Sequence, residues 1–233
     1  MSSSEPLAGI ILAAGASSRM GRPKALLPYP AALAPVPGWP APADATFLSA
    51  CAYKLLAACH RVWIVLGREA AAIRAHHDAL PAAWPLEWLR NPDPDRGQFS
   101  SLQIAVAAVL AAGGSVAAVA PVDRPAFSLA TLRALAAAVS EAAPEVAIVK
   151  PVSGGRGGHP VVYRRPMLAA IAAASPGADA RSLAHQPNFT ALAVPVADPA
   201  VLLNLDRPEE YSRWVADVAA SAPAPLSPPR PLP

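Results

Sequence analysis

The sequence predicts a three-layer α/β/α sandwich around a mostly parallel sheet, and three observations carry that reading. Short Val, Ile and Leu-rich runs alternate with longer alanine-rich amphipathic stretches, the order expected when a helix follows each strand. The strand runs are apolar almost throughout, as strands covered by helices on both faces require. The composition supplies a core and excludes other classes: of 233 residues, 54% are hydrophobic, 15% are charged and only 2 are cysteine. Disorder needs few apolar side chains and many charges, and two cysteines cannot staple a chain of this length. The 13 glycines have no three-residue period, which excludes collagen.

The elements follow in order. Gly9 to Ala13 reads as a buried strand that empties into a glycine and serine loop through Gly21. Thr46 to Ala58 reads as a helix with Thr46 at its N-cap, and Arg61 to Leu66 as the next strand. Glu69 to His77 is helical and Glu87 to Arg90 a short strand. Ser100 to Ala111 is a helix begun by a serine, followed by the strand Val116 to Ala120. Ser128 to Ala143 and the strand Val146 to Lys150 repeat the alternation. His159 to Tyr163 and Thr190 to Val196 are further strands, and Pro208 to Ala219 is a last helix with proline in its first turn. Ligands of such sheets bind beyond the carboxyl ends of the strands. The informative loops are therefore those after Ala13, Arg90, Ala120 and Lys150.

Two stretches stand outside this alternation. Pro28 to Ala45 is crowded with proline and alanine, and Ser221 to Pro233 has the same character. Proline fixes φ and removes a donor, so neither suits a regular helix or strand. The expected organisation is one domain over residues 1–220, carrying a proline-rich insertion at 28–45, with a disordered tail at 221–233. Leu7 to Ala16 resembles a signal-peptide core, but no Lys or Arg precedes it and Glu5 stands in its place, so a cytoplasmic protein is expected. No apolar run approaches the roughly 20 residues of a membrane span. The net charge of +3 suits an anionic small substrate, without the basic stripe that nucleic acid requires.

The chemistry gathers in a few segments. Leu12 to Pro28 (LAAGASSRMGRPKALLP) places small residues where a backbone can approach a ligand, then supplies Arg19 and Lys24. Exposed amides in such a turn cradle an anion, and the two cations neutralise phosphate. The pattern is neither a Walker A loop nor the dinucleotide glycine fingerprint. Asp123 follows a wholly apolar strand, so its carboxylate belongs at the sheet's carboxyl edge. It is either a Mg²⁺ ligand or an N-cap or partner of Arg124. Asp206 before Arg207-Pro208-Glu209-Glu210 also makes a good N-cap, with the two glutamates complementing the helix dipole. Ser100 and Ser101 cap their helix or meet a phosphate at its N-terminus. Cys51 and Cys59 read as inert thiols of a half-buried helix. The other histidines, His60, His76, His77 and His185, show no metal-ligand spacing.

The first loop resembles the nucleotide-binding loop of the MobA-like NTP transferases, the molybdenum-cofactor nucleotidyltransferases. Four later segments are similar to family stretches, in order: Asn91 to Leu102 (NPDPDRGQFSSL), Pro121 to Pro125 (PVDRP), Gly155 to Pro160 (GRGGHP) and Leu203 to Glu210 (LNLDRPEE). The likeness covers roughly Leu7 to Val218. It implies a Rossmann-like, nucleotide-diphospho-sugar transferase-like fold and a nucleotidyltransferase that uses Mg²⁺ and an NTP. By resemblance, Leu12, Ala13, Ala14, Gly15, Arg19, Lys24, Asn91, Ser100 and Ser101 would hold the nucleotide. Arg19, Lys24 and Asp123 would be catalytic, Asp123 and Asp206 would hold the metal, and Gly158 and His159 would meet a phosphorylated acceptor such as molybdopterin. Pro23 before Lys24 resembles the cytidylyl branch, which implies CTP, and a molybdenum hydroxylase would be the partner downstream. Two departures stand out: Asn204 replaces the first aspartate of the family's Asp-x-Asp pair, and Arg207 replaces its threonine.

Overall fold

The computed structural model describes residues 5–33, 44–78 and 80–221. Most of the expected proline-rich insertion and all but the first residue of the expected tail lie outside these residues.

Eight strands form one sheet: β1 (Ala8–Ala13), β2 (Arg61–Leu66), β3 (Leu86–Arg90), β4 (Val116–Pro121), β5 (Val146–Ser153), β6 (Arg156–Gly157), β7 (Val161–Arg164) and β8 (Thr190–Pro195). The helices are α1 (Phe47–Leu56), α2 (Ala70–His77), α3 (Gln98–Ala111), α4 (Leu129–Glu141), α5 (Arg165–Ala173), α6 (Ala180–Ala184) and α7 (Pro208–Ser221). The order across the sheet is β3-β2-β1-β4-β7-β5-β6, with β8 on the other side of β5. β1 pairs in parallel with β2 and β4, β2 with β3, and β5 with β8. β7 runs antiparallel to both β4 and β5, and β6 closes a hairpin on β5.

Alternation along the buried strands sorts their side chains between two cores. Ile11, Val62, Ile64 and Leu66 face one side, packed with α1, α4 and Trp214 of α7. Ile10, Trp63 and Val65 face the other, packed with α3 and α5. A two-residue period placing apolar groups on both faces is what a sheet covered on both sides needs.

Local signals set the helix starts. Thr46 forms a capping box with Ser49, and Ser128 accepts from the Thr131 amide. α3 begins at Gln98, two residues before the serines expected to cap it, with Gly97 at the N-cap. Ser100 and Ser101 therefore lie in its first turn, buried. The alanine-rich helices α5 and α6 fall in a stretch to which the sequence assigned no element. Cys59 sits just past α1 and not within it, and burial pushes both thiols up to about 12. No helix among the described residues is long and apolar enough to cross a membrane.

Candidate active site

The carboxyl edge of the parallel strands brings the loops after β1, β2, β3 and β4 around a cavity of 490 Å³. Leu12, Ala13, Ala14, Gly15, Lys24, Ser101 and Asp123 line it. The β1 loop is open to ligands: Gly15, Ala16 and Ser18 are exposed, and their amides make no backbone hydrogen bond among the described residues. Such amides suit an anion. Ser17 lies in the left-handed region at φ 52°, a strained position for a residue with a side chain. It also folds the loop back on itself. Its carbonyl accepts from the Met20 and Gly21 amides at 2.9 and 3.1 Å, and its Oγ from the Lys24 amide at 3.1 Å.

That return points Lys24 into the cleft. Its Nζ donates to Asp123 Oδ2 at 3.1 Å and also to Asp206 Oδ1, across 182 residues of chain. Arg19 pairs with Asp206 Oδ2 at 3.3 Å, and Asn204 Nδ2 donates to the same oxygen at 3.0 Å. The Leu205 amide donates to the Asp123 carbonyl at 2.9 Å, which sets the two carboxylate segments side by side. The open alternatives for these aspartates close in the structure. Ser128 caps α4, and Arg124 donates to the Leu202 carbonyl at 3.5 Å and not to Asp123. At α7, Glu210 accepts from the Asp206 and Arg207 amides at 2.7 and 2.9 Å. This is the return half of a capping box, so Glu210 does more than balance the dipole. The Asp206 carboxylate is left to meet Lys24, Arg19 and Asn204, although Asp206 is not itself among the residues lining the cavity.

Two carboxylates converging on one cationic group form a hard oxygen donor set, the kind that holds Mg²⁺ together with phosphate oxygens. In the structure the Lys24 ammonium takes that position. The donor set fits a divalent ion that arrives with phosphate. Among the described residues no group of three or more His, Cys, Asp or Glu could hold a metal ion by itself, here or elsewhere.

The hydrogen bond from Lys24 holds the Asp206 carboxyl below its ordinary range; the Lys24 and Arg19 charges and Asn204 add to this, against partial burial. A depressed aspartate adds stability that is complete above its unfolded pKa and is lost as pH falls through the folded value. Lys24→Met is therefore expected to raise the Asp206 pKa towards the ordinary carboxylate range, with Arg19 and Asn204 still lowering it in part, read by carboxyl NMR titration. A value unchanged from the wild type would contradict the arrangement.

The other expected site residues divide. Asn91 is 3% exposed, and its Nδ2 donates to Ser100 Oγ and Ser101 Oγ, both at 2.9 Å. Its Oδ1 accepts from the Asp93 amide at 3.0 Å. Asn91 and Ser100 thus brace the wall behind the cavity, and Ser101 alone of the three lines it. Gly158 and His159 are not part of its lining. Gly158 packs so closely on Val201 that a Cβ would stand 2.5 Å from the Val201 carbonyl oxygen. The His159 amide donates to that carbonyl at 2.9 Å, so this loop abuts the segment leading to Asp206. Burial first and then the Arg124 charge lower the His159 imidazole to about 4, against a hydrogen bond to the Val119 backbone. Its Nδ1 and the Asn204 Oδ1 are buried with no partner among the described residues.

The sequence reading passed over the loop after β2. Gly67, Arg68, Glu69 and Ile73 line the cavity beside the β1 loop. A Cβ on Gly67 would stand 2.2 Å from the Ala14 carbonyl oxygen, so only glycine lets the two loops meet. The signal was a glycine directly after an apolar strand.

The model of the MobA-like NTP transferase domain matches residues 9–192. A probable molybdenum cofactor guanylyltransferase of Rhodopirellula baltica is 31% identical over 145 residues, 62% of this chain and 61% of that protein. The chain thus spans less than two thirds of that relative. Rv0371c of Mycobacterium tuberculosis, solved in complex with manganese, is 24% identical, with a TM-score of 0.67 over 91% of this chain and 98% of that one. A nucleotidyl transferase of Methanothermobacter, 21% identical, superposes with a TM-score of 0.69 over 93% and 99%. At these identities the two structures speak for the fold.

Proposed function

Because the chain belongs to the MobA-like NTP transferase family, we propose that it transfers CMP from CTP to the phosphate of molybdopterin and releases pyrophosphate. One observation carries this reading: Lys24 stands between Asp123 and Asp206 at the mouth of an anion-cradling loop.

In the reaction an oxygen of the acceptor phosphate attacks the α-phosphorus of the NTP. A new phosphoanhydride bond forms, the bond between the α- and β-phosphates breaks, and pyrophosphate leaves. A phosphate monoester, with a second pKa of about 6, is already ionised at neutral pH, so no protein base is required. The protein's work is to align two anions and to balance their charge. The Gly15 to Ser18 amides, Arg19 and Lys24 hold the triphosphate, while Asn91 and Ser100 keep the opposite wall in place. A Mg²⁺ ion bound by Asp123 and Asp206 would polarise the phosphate oxygens. The loop carrying His159, whose ring is neutral at pH 7, lies beside the Asp206 segment, where the acceptor would approach.

Pro23 supports CTP, since guanylyl-transferring relatives tend to carry aspartate before this lysine; the name of the Rhodopirellula relative points to GTP. With Mg²⁺ and molybdopterin, pyrophosphate release is expected to be about tenfold or more faster with CTP than with GTP. The reverse preference would overturn the cytidylyl assignment, and release only with a sugar or alditol phosphate would move the acceptor.

A further inference from the structure

We propose that Lys54 is a positioning residue: from the core of α1 it fixes the Asp123 turn and ties it to the segment that carries Asp206. This rests on the metal-assisted nucleotidyl transfer argued above.

Lys54 is 3% exposed. A buried ammonium is tolerated only when its hydrogens are satisfied, and those of Lys54 are. Its Nζ donates to the Phe127 carbonyl and to the Tyr29 hydroxyl, each at 3.0 Å, and to the Pro125 carbonyl. An ammonium has three donors, so all are used. The rings of Tyr29 and Phe127 stand 4.8 Å from the same nitrogen, within the range of cation–π attraction. Burial lowers the group towards about 8, while Cys51 and Asp198 favour its charged form. It is therefore mainly an ammonium at neutral pH.

The acceptors explain why a lysine stands there. Pro125 and Phe127 are two and four residues beyond Asp123, in a turn with no regular ladder of its own. On the strand side that turn is held by the Val122 amide on the Leu12 carbonyl at 3.0 Å. On the far side Lys54 takes the place of the ladder. Tyr29 extends the node: its amide donates to the Ala45 carbonyl at 2.8 Å, and its ring meets Trp214 of α7 edge-on at 5.7 Å. α7 begins two residues after Asp206. One ammonium thus connects both carboxylate-bearing segments. An apolar side chain of the same length could fill the volume but could not direct two carbonyls.

The test is Mn²⁺ affinity of the full chain in the presence of CTP by water-proton relaxation, for the wild type, Lys54→Met, Tyr29→Phe and Asp123→Ala, each with a thermal melt. Lys54→Met is expected to weaken Mn²⁺ binding about tenfold or more, the scale seen when outer partners of a metal site are lost, and Tyr29→Phe to weaken it less. A lower melting temperature with unchanged Mn²⁺ affinity would mean a merely structural lysine and overturn the proposal. Should Lys54→Met fail to fold, Tyr29→Phe decides: weaker binding supports the role and unchanged binding overturns it. If the wild type binds Mn²⁺ no better than Asp123→Ala, the metal reading itself falls and Lys54 with it. Binding lost in Asp123→Ala but kept in Lys54→Met overturns the Lys54 role alone.

Discussion

Asp123→Ala is expected to slow pyrophosphate release about 10²- to 10³-fold, the usual scale for removing a group that stabilises developing charge. The fold should survive the change. Ser128 and not Asp123 caps α4, the Asp123 side chain is 23% exposed, and its backbone carbonyl still accepts from Leu205. What is lost is one of two carboxylates that would hold the metal ion against the triphosphate, and Lys24 is left to Asp206 alone. A coupled pyrophosphate assay reads the rate, and a melting curve within a few degrees of wild type excludes unfolding. Turnover that survives would remove Asp123 from the metal site. A protein that only delivers cofactor would keep its cofactor binding through this change while showing no turnover to lose.

Gly67→Ala should also be damaging, by a different route and to a smaller degree. Its Cβ would meet the Ala14 carbonyl oxygen, carbon and Cα at 2.2, 3.0 and 3.1 Å. All three are backbone atoms, which cannot rotate aside. Either the β2 loop backs away or the nucleotide loop is displaced. Overpacking of this kind costs about 1–3 kcal/mol, a fall in Tm of roughly 2–4 °C per kcal/mol at this size. The displaced amides should raise the KM for NTP about tenfold or more, since small misplacements of positioning groups are expensive. Gly15→Ala is the matched control for the fold, because nothing lies within 4 Å of its Cβ. If Gly67→Ala leaves both Tm and KM unchanged, the close approach is not what shapes the cavity.

Much of this site was legible before any coordinates, and the reason is local. β1 and β4 are uninterrupted apolar runs, so whatever follows them must emerge at the sheet's edge. That places the small-residue loop, Lys24 and Asp123 without knowing the strand order. Contacts made by the return of the chain were not legible. Lys24 meets Asp206 only because the antiparallel β7 and the parallel β8 bring residues 201–206 back beside β4, and no local pattern encodes that return. The Asp206 alternatives were undecidable from spacing, because Asp206 and Glu210 are both suited to the start of α7. Only the amide partners show that the glutamate took the cap. Asn91 and Ser100 were not legible in the same way: their side chains bond to each other behind the cavity, a pairing that spacing alone does not show. A lysine amid apolar residues, as at Lys54, reads as surface until its three acceptors are seen.

The account's central claim is the transfer of a nucleotidyl group, and following the α-phosphate tests it most directly. The protein is incubated with Mg²⁺, molybdopterin and CTP or GTP labelled at the α-phosphorus. The label from CTP is expected to appear in a dinucleotide form of the cofactor, in equal amount to the pyrophosphate released, and to be absent with Asp123→Ala. Label that stays in CTP, or that enters the cofactor only from GTP, would contradict the reading.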